Sequence, residues 1–576
     1  MHTFRVWATL PKKISVQVRG KKFAMARDKN DWWRAKIASA KIGDDYGFIL
    51  DGQGIFPDPR SAFQPNGIDG LSQIVDHKIF SWADSKFRAL SLSSAIIYEL
   101  HIGTFTPLGT FISAIEKLDH LVALGVTHVE LMPVNEFSGA HGWGYDGVDL
   151  FAPHHAYGTP DDLKKLVDAC HARKLAVILD VVYNHFGPAG NYLDKFAPYF
   201  TKKYSSPWGP SLNFDDAHSH EVRRFFCDNA LMWLRDYHFD GLRLDAVHAI
   251  FDTSAVHFLE QLKIEVEKLS AQTKRNLFLI AESDLNDPRL LHSRERGGLN
   301  LDAQWSDDFH HALHAVLTGE KNGYYEDFGS LADLASALKN VFVYAGKFSK
   351  HRQRVHGRTA GDLSGNHFLG YLQNHDQVGN RAKGERSRQL LNLKKLKIGA
   401  ALVLTSPFVP MIFQGEEWGA STPFQYFTNH QDKKLGDAVR EGRRREFAAF
   451  GWKPDEIPDP QARETFENSK LNWDEISQNE HAEILDWFRK LIFLRQKNPG
   501  LRDGNREALK INFDEKEKWL VLVRKNFAMA ANFSRQARRI SFAGKFKPLL
   551  SSEEKNEISG GQIFLQPESV LILQKT

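Results

Sequence analysis

The chain has 576 residues, enough for two to four domains, at least one of them large. Its 42% hydrophobic and 25% charged content suits sizeable cores under an ordinary surface, and 75 basic against 71 acidic side chains leave a formal charge of only +4. That excess is too dilute for a nucleic-acid footprint. The start, MHTFRVWATL, lacks the basic and apolar regions of a signal peptide, and no apolar run approaches the ~20 residues of a membrane span. A soluble cytoplasmic protein with no nucleic-acid or membrane partner is the expectation. Cys170 and Cys227 lack metal-ligand spacing and read as buried free thiols.

In chain order, residues 1–90 read as short strands. Phe4–Ala8 and Ile14–Val18 alternate with period two, and Asp51-Gly52 marks a turn. We expect an N-terminal immunoglobulin-like β-sandwich of the carbohydrate-binding-module kind. Within it, Trp32-Trp33 fits a sugar platform or sandwich packing, with core packing of at least one ring expected.

From 91 to 498 strands alternate with amphipathic helices, which implies parallel βα units. Apolar strand candidates fall at 96–102, 128–134, 175–182, 239–245, 277–282, 301–305, 368–374 and 408–414. Eight of them predict an α/β fold built on a (β/α)8 TIM barrel, with insertions at 186–218 and 419–477. The basic run Arg443-Arg444-Arg445 in the second insertion reads as a solvated face. A doubly wound sheet would need a glycine-rich phosphate turn after the first strand, where the chain reads HIGTFTPLGTF. Residues 499–576 return to short strands and predict a C-terminal β-sandwich.

The positions of the carboxylates carry the chemistry. Barrel enzymes work on the loops at the C-terminal strand ends, and four candidate strands end in polar segments: LDVVYNH with Asp180, Asn184 and His185; GLRLDAVH with Arg243, Asp245 and His248; IAESD with Glu282 and Asp284; LQNHD with His375 and Asp376. A lone Asp after a strand is an ordinary turn former, but carboxylates gathered on one rim repel one another, and a fold tolerates that mainly where function needs it. Cleaving an acetal requires one protonated carboxyl to release the leaving oxygen and one ionised carboxylate to attack, about 5 Å apart for the retaining route. Asp245, two residues beyond Arg243 on the same strand face, suits the ionised nucleophile. Glu282, with no neighbouring cation in sequence, suits the proton donor.

In this order DVVYNH, GLRLDAVH, AESD and NHD resemble the four signature regions of the α-amylase family of glycoside hydrolases, over roughly residues 91 to 576. The resemblance implies Asp245 as nucleophile, Glu282 as acid/base and Asp376 as the transition-state stabiliser. It also implies sugar contacts from Tyr145, Asp180, His185, Arg243, His248 and His375. More narrowly, YGFILDG…FPDPRSAFQP, LNLDAQWSDDFHHALHAVLTGEKNGYYEDFG and FQGEEWGASTPFQYFTNH resemble the family of malto-oligosyltrehalose trehalohydrolases. That likeness implies a maltooligosyl-trehalose substrate, a functional link to a maltooligosyl-trehalose synthase, and recognition of the trehalose end by Trp305, Asp308, His310 and Glu417. Ala62-Phe63 after DPRS departs from the family pattern, far from the signature segments.

No metal or other cofactor is expected. His310 and His314, one helical turn apart, lack a third zinc ligand, and Asn184, a calcium position in some amylases, lacks an oxygen-rich loop. A branching or debranching enzyme of the same family, and a non-catalytic glucan-binding protein, are the competing readings. GEEWGASTPFQYF favours the trehalohydrolase over the first, and the intact Asp245, Glu282 and Asp376 disfavour the second.

Overall fold

The computed structural model describes residues 1–206, 208–448 and 452–576; Pro207 and residues 449–451, which fall in the two expected insertions, lie outside the described residues. At its centre eight parallel strands close into a barrel: β1 (Ile97–Leu100), β2 (His128–Leu131), β3 (Ala176–Val181), β4 (Gly241–Leu244), β5 (Phe278–Ala281), β6 (Ala303–Trp305), β7 (Phe368–Gly370) and β8 (Val409–Phe413), with β8 returning to pair with β1. Each lies inside its expected range.

Every residue of these strands is buried, because helices cover the outside and side chains fill the inside. That is why they read as nearly continuous apolar runs. Ile97, Ile178, Ile280, Ala303, Leu369 and Met411 pack together inside the barrel with Trp305 and Tyr371. Side chains alternate along a strand, so Glu99, Asp180 and Glu282 follow Ile97, Ile178 and Ile280 on that inner face, one layer nearer the C-terminal rim. The parallel register sets Glu130 beside Glu99, and Arg243 beside Asp180.

The helices start and stop by local chemistry. Pro160–Ala172 opens with proline in its first turn and a reciprocal cap between Thr159 and Asp162. Leu118–Leu124 ends at Gly125, whose φ of 94° a side chain would resist.

Antiparallel sheets flank the barrel at both ends of the chain. The N-terminal strands form a three-stranded sheet and a five-stranded one. They dock on the barrel's third loop through Trp7 against Tyr199 and Phe48 against Phe196, and on its helix through Arg60 to Asp228 at 2.8 Å. Trp33 is buried and donates to the Ala8 carbonyl, while Trp32 bonds Glu221 and lies under Arg5 and Arg60. Neither ring is an open platform. The C-terminal strands form sheets of five and three. Arg524 fastens them to the barrel by donating to the carbonyls of Thr405 and Ser406 at the end of helix Leu393–Thr405. Both cysteines are buried and free. Among the described residues, no helix is long and apolar enough to cross a membrane.

Candidate active site

The polar strand ends converge on a cleft at the C-terminal rim. One half is a cavity of about 470 Å³ lined by Trp143, Tyr145, His185, Trp208, Asp245, His248, Glu282, His375, Asp376 and Tyr426. The other, about 520 Å³, is lined by Asp284, Asp307, His311, Tyr324, His351, Arg352 and Arg354. Both halves include Asp284, Asp376 and Asn380, so they form one continuous depression.

Asp245 follows directly on β4. Arg243 Nη1 donates to its Oδ1 at 2.9 Å, and Asn184 Nδ2 donates to its Oδ2 at 2.6 Å and to the Asp245 main-chain carbonyl at 2.8 Å. Both carboxylate oxygens are thus held, which fixes the rotamer and aims the group into the cleft. Asn184 turns its side-chain oxygen to His185 Nδ1, so both ends of the amide serve the site. Arg243 is fully buried, donates from the same Nη1 to both oxygens of Asp180 at 2.8 Å, and lies 4.3 Å over the Trp305 ring.

Glu282 follows β5. Its Oε2 accepts from the Ala246 backbone N–H at 2.5 Å, a contact made possible by the left-handed turn at Ala246, φ 39°. Arg243 Nη2 also comes within 3.6 Å, a cation that sequence adjacency did not reveal. Burial nevertheless prevails: desolvation outweighs Arg243, and the charges of Asp245, Asp307 and Asp376 add to it, lifting the Glu282 pKa to about 8. At neutral pH this carboxyl therefore carries a proton.

His375 and Asp376 follow β7 on a short helix that Asn374 caps through the Gln377 amide. Burial pulls the His375 imidazole down, but Asp376 and Glu99 overcome it and raise its pKa to about 9. Glu99 accepts from the His375 backbone and from Nδ1. On the other side of the ring, Nε2 lies 2.7 Å from the Tyr145 hydroxyl, which donates to Asp180 at 2.6 Å. A single chain of polar contacts thus runs from Glu99 through His375 and Tyr145 to Asp180, Arg243 and Asp245. His185 stacks on Trp208, whose hairpin (Phe200–Ser206 with Gly209–Leu212) brings that ring to the cleft.

Of the expected residues, Asp245, Glu282, Asp376, Tyr145, His185, His248 and His375 face the cleft together. Asp180 and Arg243 lie beneath them as buried supports. The four expected at the trehalose end do not line the cleft. Trp305, 1% exposed, points into the barrel and floors Arg243. Asp308 is consumed by the amides of Val343 and Tyr344 and the Asn286 side chain. His310 is buried against the Tyr325 hydroxyl. Glu417 sits behind the barrel wall, bonded to Tyr98 and His120. The helix Asp307–Thr318 instead turns Asp307 and His311, one turn apart, toward the cleft. Trp208, Tyr324, Arg352 and Tyr426 were also missed. Arg443, expected on a solvated face, packs over Tyr426 and donates to the Gly379 carbonyl.

A protonated carboxyl beside a tightly oriented carboxylate at the mouth of a parallel barrel defines a glycoside-cleaving (β/α)8 enzyme of the two-carboxylate kind. The comparisons agree. The model described as "Alpha amylase, catalytic domain" matches residues 81–208 and 197–504. A malto-oligosyltrehalose trehalohydrolase of Mycobacterium tuberculosis (strain CDC 1551 / Oshkosh) is 48% identical, covering 95% of each chain. One from Saccharolobus solfataricus is 45% identical, covering 94% of this chain and 92% of that one. A crystal structure described as a putative alpha amylase from Salmonella typhimurium superposes with a TM-score of 0.92 at 38% identity, over 100% of this chain and 97% of that one. The chain belongs to the α-amylase family, and within it to the malto-oligosyltrehalose trehalohydrolases.

Proposed function

We propose that this protein hydrolyses, with retention, the α-1,4-glucosidic bond next to the terminal trehalose of maltooligosyl-trehalose, releasing free trehalose. The observation that carries the chemistry is the contrast between protonated Glu282 and the doubly held Asp245 in one cleft. Glu282 donates its proton to the glycosidic oxygen while Asp245 attacks the anomeric carbon. Glu282, now a carboxylate, then takes a proton from water, which releases the sugar from Asp245. Asp376 and His375 hold ring hydroxyls, Tyr145 lies under the ring, and Arg243 with Asn184 keeps Asp245 in line.

The substrate reading is supported by likeness to trehalohydrolases over nearly the whole chain. The second half of the cleft suits the trehalose end, since Asp307, His311, Tyr324 and Arg352 supply hydrogen-bonding groups for a bent, non-reducing disaccharide. A site of this kind rejects the wrong sugar because its buried polar groups are then left unpaired. The reaction requires another enzyme, a maltooligosyl-trehalose synthase, to supply the substrate, and we place it in the cytoplasm. The test is chromatographic analysis of products from maltooligosyl-trehalose and from maltohexaose. Free trehalose from the first, with the second barely touched, is expected. Rapid cleavage or rearrangement of maltohexaose would overturn the substrate assignment in favour of a broader glucan hydrolase or a branching enzyme.

A further inference from the structure

Between β2 and helix Pro160–Ala172 the chain makes a hairpin, Asn135–Phe137 against Gly147–Pro153, whose connecting loop carries Trp143 and Tyr145 into the cleft. At its base, outside the catalytic chain of contacts, three side chains meet. Glu136 Oε1 lies 3.2 Å from His154 Nδ1 and 2.8 Å from His155 Nδ1, and the Glu136 and His154 side chains are fully buried. All three donor atoms fall within 4.8 Å of one another. We propose that Glu136, His154 and His155 form a binding site for a divalent ion of the zinc class, which pins the base of this loop.

The donor set decides the class. Two imidazole nitrogens and one carboxylate oxygen suit zinc or its neighbours, whereas magnesium and calcium take oxygen. Zinc bonds of about 2.0–2.1 Å in a tetrahedron put neighbouring ligand atoms roughly 3.3 Å apart. The two spacings to Glu136 lie within about half an ångström of that value, and the two imidazole nitrogens are no more than 4.8 Å apart.

The surroundings also favour a cation. Asp149 stands opposite Glu136 across the hairpin, is buried, and leaves Oδ2 without a hydrogen-bond partner. His155 is 29% exposed and gives an entry path and a place for a fourth ligand, water. The His154 ring stacks on Phe137, a cleft-lining residue, at 3.7 Å, so the ion's position is mechanically linked to the wall.

Binding must displace the Nδ1 protons now shared with Glu136. Affinity therefore weakens as pH falls.

The test uses tag-free, full-length protein stripped with chelator and titrated with Co²⁺. The expected result is one ion per chain with the intense visible bands of four-coordinate cobalt, displaced by Zn²⁺. A higher melting temperature with metal, and weaker binding at about pH 6 than at about pH 8, should accompany it. His155→Ala should weaken Co²⁺ binding at least about tenfold, and its melt should no longer rise with metal, whatever small loss the missing bond to Glu136 costs the metal-free protein. Glu136→Gln should do the same where it folds. The pale spectrum of hexahydrated cobalt, substoichiometric binding, or equal binding by His155→Ala would overturn the proposal and leave the trio a hydrogen-bonded hub.

Discussion

In its lower layer the barrel interior holds Ile97, Ile178, Ile280, Leu369 and Met411, whereas two residues farther along three of those strands stand Glu99, Asp180 and Glu282, with Arg243 between them. Glu99 and Asp180 share the strands and the burial of the layer below, and Glu282, just past its strand, opens partly to the cleft; the lower layer gains from removing apolar surface from water and the upper layer sacrifices that gain. The upper layer persists because its charges are mutually arranged: Arg243 meets Asp180 and Asp245, His375 meets Glu99, and Glu282 keeps a proton. Glu130 marks the limit of this compensation. Neither of its buried oxygens has a partner, and burial with the charge of Glu99 drives its carboxyl far toward the neutral form.

If the two layers divide stability from chemistry, substitutions should separate cleanly. Asp245→Ala should reduce kcat by about four orders of magnitude or more while circular dichroism and the thermal melt stay near wild type. Glu282→Gln should cost about 10²–10⁴ in rate. The wild-type enzyme needs Glu282 protonated, so its kcat/KM should fall as pH rises through about 8, and that limb should vanish in the variant. A rate profile flat through that pH in the wild type would count against Glu282 as the acid.

A finer contrast lies within one helix. Asp307→Asn should lower the preference for the trehalose end about tenfold in kcat/KM and leave stability nearly intact. Asp308→Asn should leave the preference alone and lower stability by about 1–3 kcal/mol, read from denaturant midpoints, because it weakens the acceptor of two buried amides. The smallest effect belongs to the lower layer: Ile178→Val should cost about 0.5–1.5 kcal/mol of stability, with turnover and its pH dependence unchanged.

The eight strands were legible because doubly buried parallel strands are short apolar runs, and Asp245, Glu282 and Asp376, which the structure gathers in one cleft, stand just beyond such runs. What the sequence left open was direction rather than position. Nothing local distinguishes Asp307 from Asp308 until the phase of helix Asp307–Thr318 is known. Trp305 was expected on the rim, but it is the last residue of β6 and follows the inward alternation of Ala303. Glu417 passes behind the wall because Gly415, at φ 82°, turns the chain there. Arg243's approach to Glu282 joins β4 to β5 and leaves no trace in either segment alone. Glu136 lies 18 residues from His154 across a hairpin of irregular register, so no spacing motif connects them.

Trapping the covalent intermediate tests the central claim most directly. The enzyme would be incubated with a fluorinated glycosyl donor that forms the glycosyl-enzyme quickly and releases it slowly, then digested for mass spectrometry. The account predicts one sugar on the peptide containing Asp245, with Asp245→Ala unlabelled. A sugar on Asp376, or turnover with inversion and no adduct, would contradict it.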